Sequence, residues 1–115
     1  MIVVADSTPI NYLILIGEID ILPNLYGRVI IPPAVREELG RLRAPARVRT
    51  WIAEPPSWLE ILAPTPVADK ELAKLDDGER EAIALAEQLS HSSDSVQLIV
   101  DELLAGGRRN GEACR

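Results

Sequence analysis

Two short runs of apolar residues, near opposite ends of the chain, each lead into an aspartate. Ile2-Val3-Val4-Ala5 runs into Asp6, and Val96-Gln97-Leu98-Ile99-Val100 runs into Asp101. Val and Ile dominate both, and neither alternates cleanly with polar residues, which is the pattern of a strand covered on both faces. Such strands belong to parallel sheets with helices above and below. In open sheets of that kind ligands sit just beyond the carboxyl ends of the strands, where Asp6 and Asp101 are expected to stand.

The segments between these runs read as alternating helices and strands. Thr8-Pro9 is a helix start, with Thr capping free backbone N–H groups and Pro fitting the first turn; the helix runs from Pro9 to about Ile16 and stops at Gly17. Glu18 to Tyr26 reads as a second short helix perturbed by Pro23, and Val29-Ile30-Ile31 as a strand broken by Pro32-Pro33. Helices follow over Pro33 to about Leu42 and over Ala44 to Ala53, the latter with Val48, Trp51 and Ile52 on one face. Leu59 to Leu62 forms a third strand. Asp76-Asp77-Gly78-Glu79 opens the longest helix, whose apolar stripe is Ala82, Ile83, Ala86 and Leu89, and His91 to Ser95 is a polar turn. The pattern predicts a three-layer α/β/α sandwich around a mainly parallel sheet. Residues 1–104 are expected to form one domain. Residues 105–115 lack an apolar period and read as a tail, as though the C-terminal part of the sheet were missing.

At 115 residues the chain has room for one core, and with no Phe that core is built from Leu, Ile, Val and Ala. The single cysteine, Cys114, has no partner for an internal disulfide or a zinc site. The start lacks the basic region of a signal peptide, and Ile10–Ile16 is far shorter than the ~20 residues that span a bilayer. These features predict a cytoplasmic protein without membrane association. The formal charge of −6 argues against general charge-driven binding of nucleic acid, though not against a nucleic acid held through metal ions.

Four acids have placements that allow them to converge. Asp6 and Asp101 end strands; Glu38 lies early in the helix after the second strand, and Glu79 in the first turn of the long helix. Strand carboxyl ends and the amino ends of the following helices share one edge of a parallel sheet. Carboxylate oxygens are the ligands preferred by Mg²⁺ and Mn²⁺, and an ion so held activates water and neutralises phosphodiester charge. Each acid also has a plainer reading. Asp6 suits a turn that caps a helix. Nothing local separates Glu38 from Glu37. Asp76 and Glu79 make a capping box, and Asp101-Glu102 suits a strand leaving for solvent. Ser7 and Thr8 offer hydroxyls near Asp6. His91, in a serine-rich turn, reads as solvated, and no nucleophile–base pair is available.

These same segments resemble the motifs of the PIN-domain ribonuclease family, in its VapC-like toxin branch. Val3-Val4-Ala5-Asp6-Ser7-Thr8-Pro9-Ile10 resembles the family's opening, and Pro33-Ala34-Val35-Arg36-Glu37-Glu38-Leu39 its second acidic motif. Leu75-Asp76-Asp77-Gly78-Glu79-Arg80-Glu81-Ala82-Ile83-Ala84-Leu85-Ala86 is similar to the third acidic segment, and Leu98-Ile99-Val100-Asp101-Glu102 to the fourth. The resemblance implies a Mg²⁺- or Mn²⁺-dependent ribonuclease, commonly a homodimer and commonly paired with an antitoxin protein. It implies catalytic roles for Asp6, Glu38, Glu79 and Asp101, with Asp6, Glu79 and Asp101 on the metal and Ser7 or Thr8 assisting. Many members carry Asp where this chain has Glu79. The arginine-bearing segment and further elements that follow the fourth acid in the family are only echoed, in Gly107-Arg108-Arg109.

Arg36, Arg41 and Arg43, with Arg47 and Arg49, are the candidate RNA-binding cations, against the plainer reading of a solvated helix face. Tyr12, Leu13 and Ile16 suit either a protein interface or the core. The alternative function is a catalytically inactive or truncated PIN-like module that acts only in protein or RNA binding. A phosphotransferase of the haloacid-dehalogenase type is disfavoured, because Thr8 stands where that chemistry needs a second Asp.

Overall fold

The structure, a computed structural model, describes residues 1–65, 77–91 and 95–99. Among them four strands, β1 (Ile2–Ala5), β2 (Arg28–Ile31), β3 (Leu59–Ile61) and β4 (Val96–Ile99), form one sheet in the order β3-β2-β1-β4, with every pairing parallel. Helices α1 (Ser7–Leu15) and α2 (Ile21–Leu25) link β1 to β2. Helices α3 (Pro33–Leu39) and α4 (Ala46–Ala53) lie between β2 and β3, and α5 (Asp77–Ser90) precedes β4. This is the predicted sandwich with a parallel centre.

The two faces of the sheet are separate cores. Val3 and Ala5 of β1, with Val29 and Ile31 of β2, pack against Ile10, Ile14, Leu22, Val35, Leu39, Val48 and Ile52 from the first four helices. Ile2, Val4 and Ile30 point the other way and meet Ala82, Leu85 and Ala86 of α5. The strict period of two, apolar on both sides, explains why the runs show no polar alternation. The stripe of α5 differs from the expected one: Leu85 is buried, while Ile83 is only half-buried.

Because β1 to β3 step outward with their helices on one face, and the chain returns to β4 with α5 on the other, both windings obey the right-handed crossover preference. The sheet therefore changes direction between β1 and β4. Ile2 pairs with Val96 and Ala5 with Ile99, and the Asp6 N–H donates to the Ile99 carbonyl at 2.8 Å. This switch point is the place where an open α/β sheet leaves a crevice at its carboxyl edge.

Local chemistry sets the helix limits. α1 begins two residues earlier than expected, because Asp6 rather than Thr8 is the N-cap: its carboxylate accepts from the Ser7 N–H at 2.7 Å. The helix ends in a Schellman motif. Gly17 at φ 77° donates to the Ile14 carbonyl at 3.1 Å, and Glu18 donates to the Leu13 carbonyl at 2.8 Å. α2 is a single turn, with Pro23 tolerated because an N–H in the first turn has no partner within the helix. α3 stops at Gly40, short of Leu42, and α4 starts after Pro45.

Candidate active site

Asp6 and Glu79 are the two buried charged residues among the described residues, 4% and 5% exposed. Burying a carboxylate is costly unless its charge is used or balanced, so such positions concentrate at sites of chemistry. Asp6 immediately follows β1 at the switch point. Glu79 lies in the first turn of α5, which runs antiparallel to the neighbouring strands and so begins at their carboxyl edge. Both acids thus belong to one edge of the sheet. The capping box with Asp76 involves a residue outside the described ones.

Glu38 joins them through Gly78. A Cβ built on Gly78 would lie 2.8 Å from both Cδ and Oε2 of Glu38, so the carboxylate rests on the bare backbone of α5 next to Glu79. The positive end of the α5 dipole favours an anion there. Glu37 turns away to an exposed groove between α3 and α4, which separates the two glutamates that local sequence left equivalent. A second contact holds α3 to α5: Glu81 accepts from the Ala34 N–H at 3.2 Å and so caps the first turn of α3 across the interface. Asp101, the fourth acid, lies outside the described residues.

Ser7, Thr8 and Asn11 from α1 face Glu38, Leu39, Arg41 and Arg43 across a cleft of about 400 Å³. Of the arginines considered from sequence, Arg41 and Arg43 line this cleft. Arg36 and Arg49 line the α3–α4 groove instead, and Arg49 Nε donates to the Ala44 carbonyl at 3.1 Å. Arg47 donates to the Leu15 carbonyl at 3.3 Å. Arg36 is therefore not gathered with the acids. His91 is exposed in a turn. Leu13 packs against the core, whereas Tyr12 and Ile16 are exposed.

The donor set suits a hard divalent cation. Among the described residues no three Asp, Glu, His or Cys side chains gather closely enough to hold one ion. Mg²⁺ commonly uses one or two carboxylates and keeps several waters, so two buried acids on one edge remain compatible with it. Three features escaped the sequence reading. Asn11 lines the cleft, a position legible from its four-residue spacing to Ser7 on a helix. Gly78 supplies the space for Glu38, and Glu81 caps α3; both depend on packing between helices that no local pattern reports.

No helix among the described residues is long and apolar enough to cross a membrane. Neither a curated protein nor a solved structure matches the chain. A family model described as a PIN domain matches residues 2–111, nearly the whole sequence, and carries all four acids within its span. PIN domains are in general nucleases, typically with divalent metals, so a nuclease-type function accompanies the match. With its doubly wound parallel sheet and acids at the switch-point edge, this chain belongs to the PIN-domain family.

Proposed function

We propose that the protein is a Mg²⁺- or Mn²⁺-dependent endoribonuclease that hydrolyses RNA phosphodiesters, in the role of toxin in a toxin–antitoxin pair. The observation that carries this reading is the burial of two carboxylates, Asp6 and Glu79, at the carboxyl edge of the sheet where its winding reverses. Asp6, Glu79 and Asp101 are the residues that would hold the ion. An ion held there would supply a water of lowered pKa and neutralise charge on the phosphodiester. Glu38, held against α5 and opening on the cleft, accepts the proton of the attacking water. Ser7 and Thr8 orient the phosphate with their hydroxyls. Tyr12 and Ile16, among the exposed large apolar residues, offer a surface to a second copy or an antitoxin.

The test is cleavage of a single-stranded RNA with Mg²⁺ or Mn²⁺ against an EDTA control, for the wild type and for Asp6→Asn. Metal-dependent cleavage that Asp6→Asn abolishes is the expected result. No cleavage with either metal, and no thermal stabilisation by them, would leave the binding-only module as the reading.

A further inference from the structure

We infer that the cleft between α1 and the α3–α4 turn is a subsite for one nucleotide of a single-stranded RNA, and that Asn11 determines which base it accepts. The inference rests on the ribonuclease reading and deepens it. Glu38 forms part of the cleft wall, so a chain lying in the cleft continues onto the acids. A volume of about 400 Å³ is the scale of a single small-molecule ligand. The base pairs of an A-form duplex do not enter such a space, whereas an unstacked nucleotide does.

The lining divides by chemistry. Arg41 and Arg43 are exposed guanidinium groups on one wall, suited to the bidentate gripping of phosphate. Arg41 and Arg43 are exposed, Glu38 on the same cleft is half-buried, and Asp6 and Glu79 are buried, so the arginines are the most accessible charges to the backbone of a bound strand. On the opposite wall Asn11 is half-buried in α1, one turn beyond Ser7. Its amide offers donor and acceptor together, the pair needed to read a base edge. None of the described residues lining the cleft is aromatic, so selection there comes from hydrogen bonding rather than from sequence-tolerant stacking. Phosphate contacts fix position and base contacts fix identity, and here the first fall on the α3–α4 turn and the second on α1.

The experiment measures binding of four single-stranded RNA hexamers, differing at one central nucleotide in a uridine background, by fluorescence anisotropy in EDTA, where a metal-dependent cleavage is silent. The wild type is expected to discriminate among the four by about tenfold, as one good base contact does. Asn11→Ala should flatten that preference, while Asn11→Gln should retain it in altered order. Arg41→Ala/Arg43→Ala should weaken all four alike and lower the slope of log affinity against log salt by about 1.4, at ~0.7 per phosphate for single strands. Thermal unfolding of each variant within a degree or two of wild type certifies the fold. An unchanged preference in Asn11→Ala, an unchanged salt slope in the double variant, or no binding of any hexamer would overturn the inference. A wild type that binds selectively yet never cleaves with Mg²⁺ or Mn²⁺ would instead sink the nuclease reading and leave the subsite standing.

Discussion

The carboxylate of Glu38 rests on the backbone of Gly78, with Cδ and Oε2 each 2.8 Å from where a Cβ would be. The glycine has no positive φ, so its value here is room rather than conformational freedom. Gly78→Ala should therefore leave folding intact or strengthen it, since alanine exceeds glycine by up to about 1 kcal/mol in a helix. The atoms it displaces belong to the end of a flexible side chain. Catalysis should suffer instead, because a shift of about 1 Å in a reacting group costs ~10²-fold. A higher unfolding temperature with a lower cleavage rate is the expected pair of results. An unchanged rate would remove Glu38 from the chemistry.

Asp6 has two duties, and substitution separates them. Asparagine caps a helix about as well as aspartate, so Asp6→Asn should unfold at nearly the wild-type temperature in EDTA. Asp6→Ala should lose about 1 kcal/mol in the same buffer, as removal of a cap does. Both should lose the metal-dependent rise in unfolding temperature. If Asp6→Asn kept that rise, capping alone would account for the residue.

Glu81 does not line the cleft but caps the start of the helix that carries Glu38. Glu81→Ala removes the acceptor for the Ala34 N–H and should cost about 0.5–2 kcal/mol, the range for lost caps. Glu81→Gln keeps an oxygen at the same reach and should recover most of the loss. Denaturant melts of the two variants compare them directly, and equal losses would argue that charge rather than the hydrogen bond matters.

Across the β2–β3 edge, Arg28 Nε and Nη2 donate to Glu60 Oε2 and Oε1 at 3.0 and 2.7 Å. The hydrogen bond from Arg28 holds the Glu60 carboxyl below its usual range, and Glu60 in turn raises Arg28. A lowered folded-state value means that the contribution is complete above the unfolded carboxylate value and lost as pH falls through the folded one. The side chains are 47% and 42% exposed, so the pair contributes only about 0.2–1 kcal/mol and weakens with salt. Glu60→Gln should lower stability slightly at neutral pH and leave it unchanged at pH 2. A deficit that persisted at pH 2 would point to packing of the glutamate stem instead.

Much of this architecture is legible in the chain because β-branched runs, proline breaks and Gly17 act locally. The buried strands and the end of α1 are read from neighbours a few residues away, whereas around Glu79 the local pattern reads equally as a capping box with Asp76. What local pattern leaves open is set by contacts between distant segments. Glu37 and Glu38 become distinct only when α5 packs beside α3, and Arg36 parts from Arg43 only when α4 folds back to make a second groove, with Arg41 bordering both. The start of α1 shows a different limit: Asp6 and Thr8 are both good caps, and the competition is decided by where β1 ends.

The pairing of β4 with β1 has a consequence for synthesis. Ile2 must await Val96, so the switch-point edge closes only after nearly all of the described chain has emerged. Contacts of such sequence separation form late, because loop closure must be met before they reward the chain. A growing polypeptide that has already assembled β1, β2 and β3 still exposes the flank of β1 on which the crevice depends. Any activity of that crevice is thus withheld from the nascent chain, a delay written into strand order rather than into any regulatory residue.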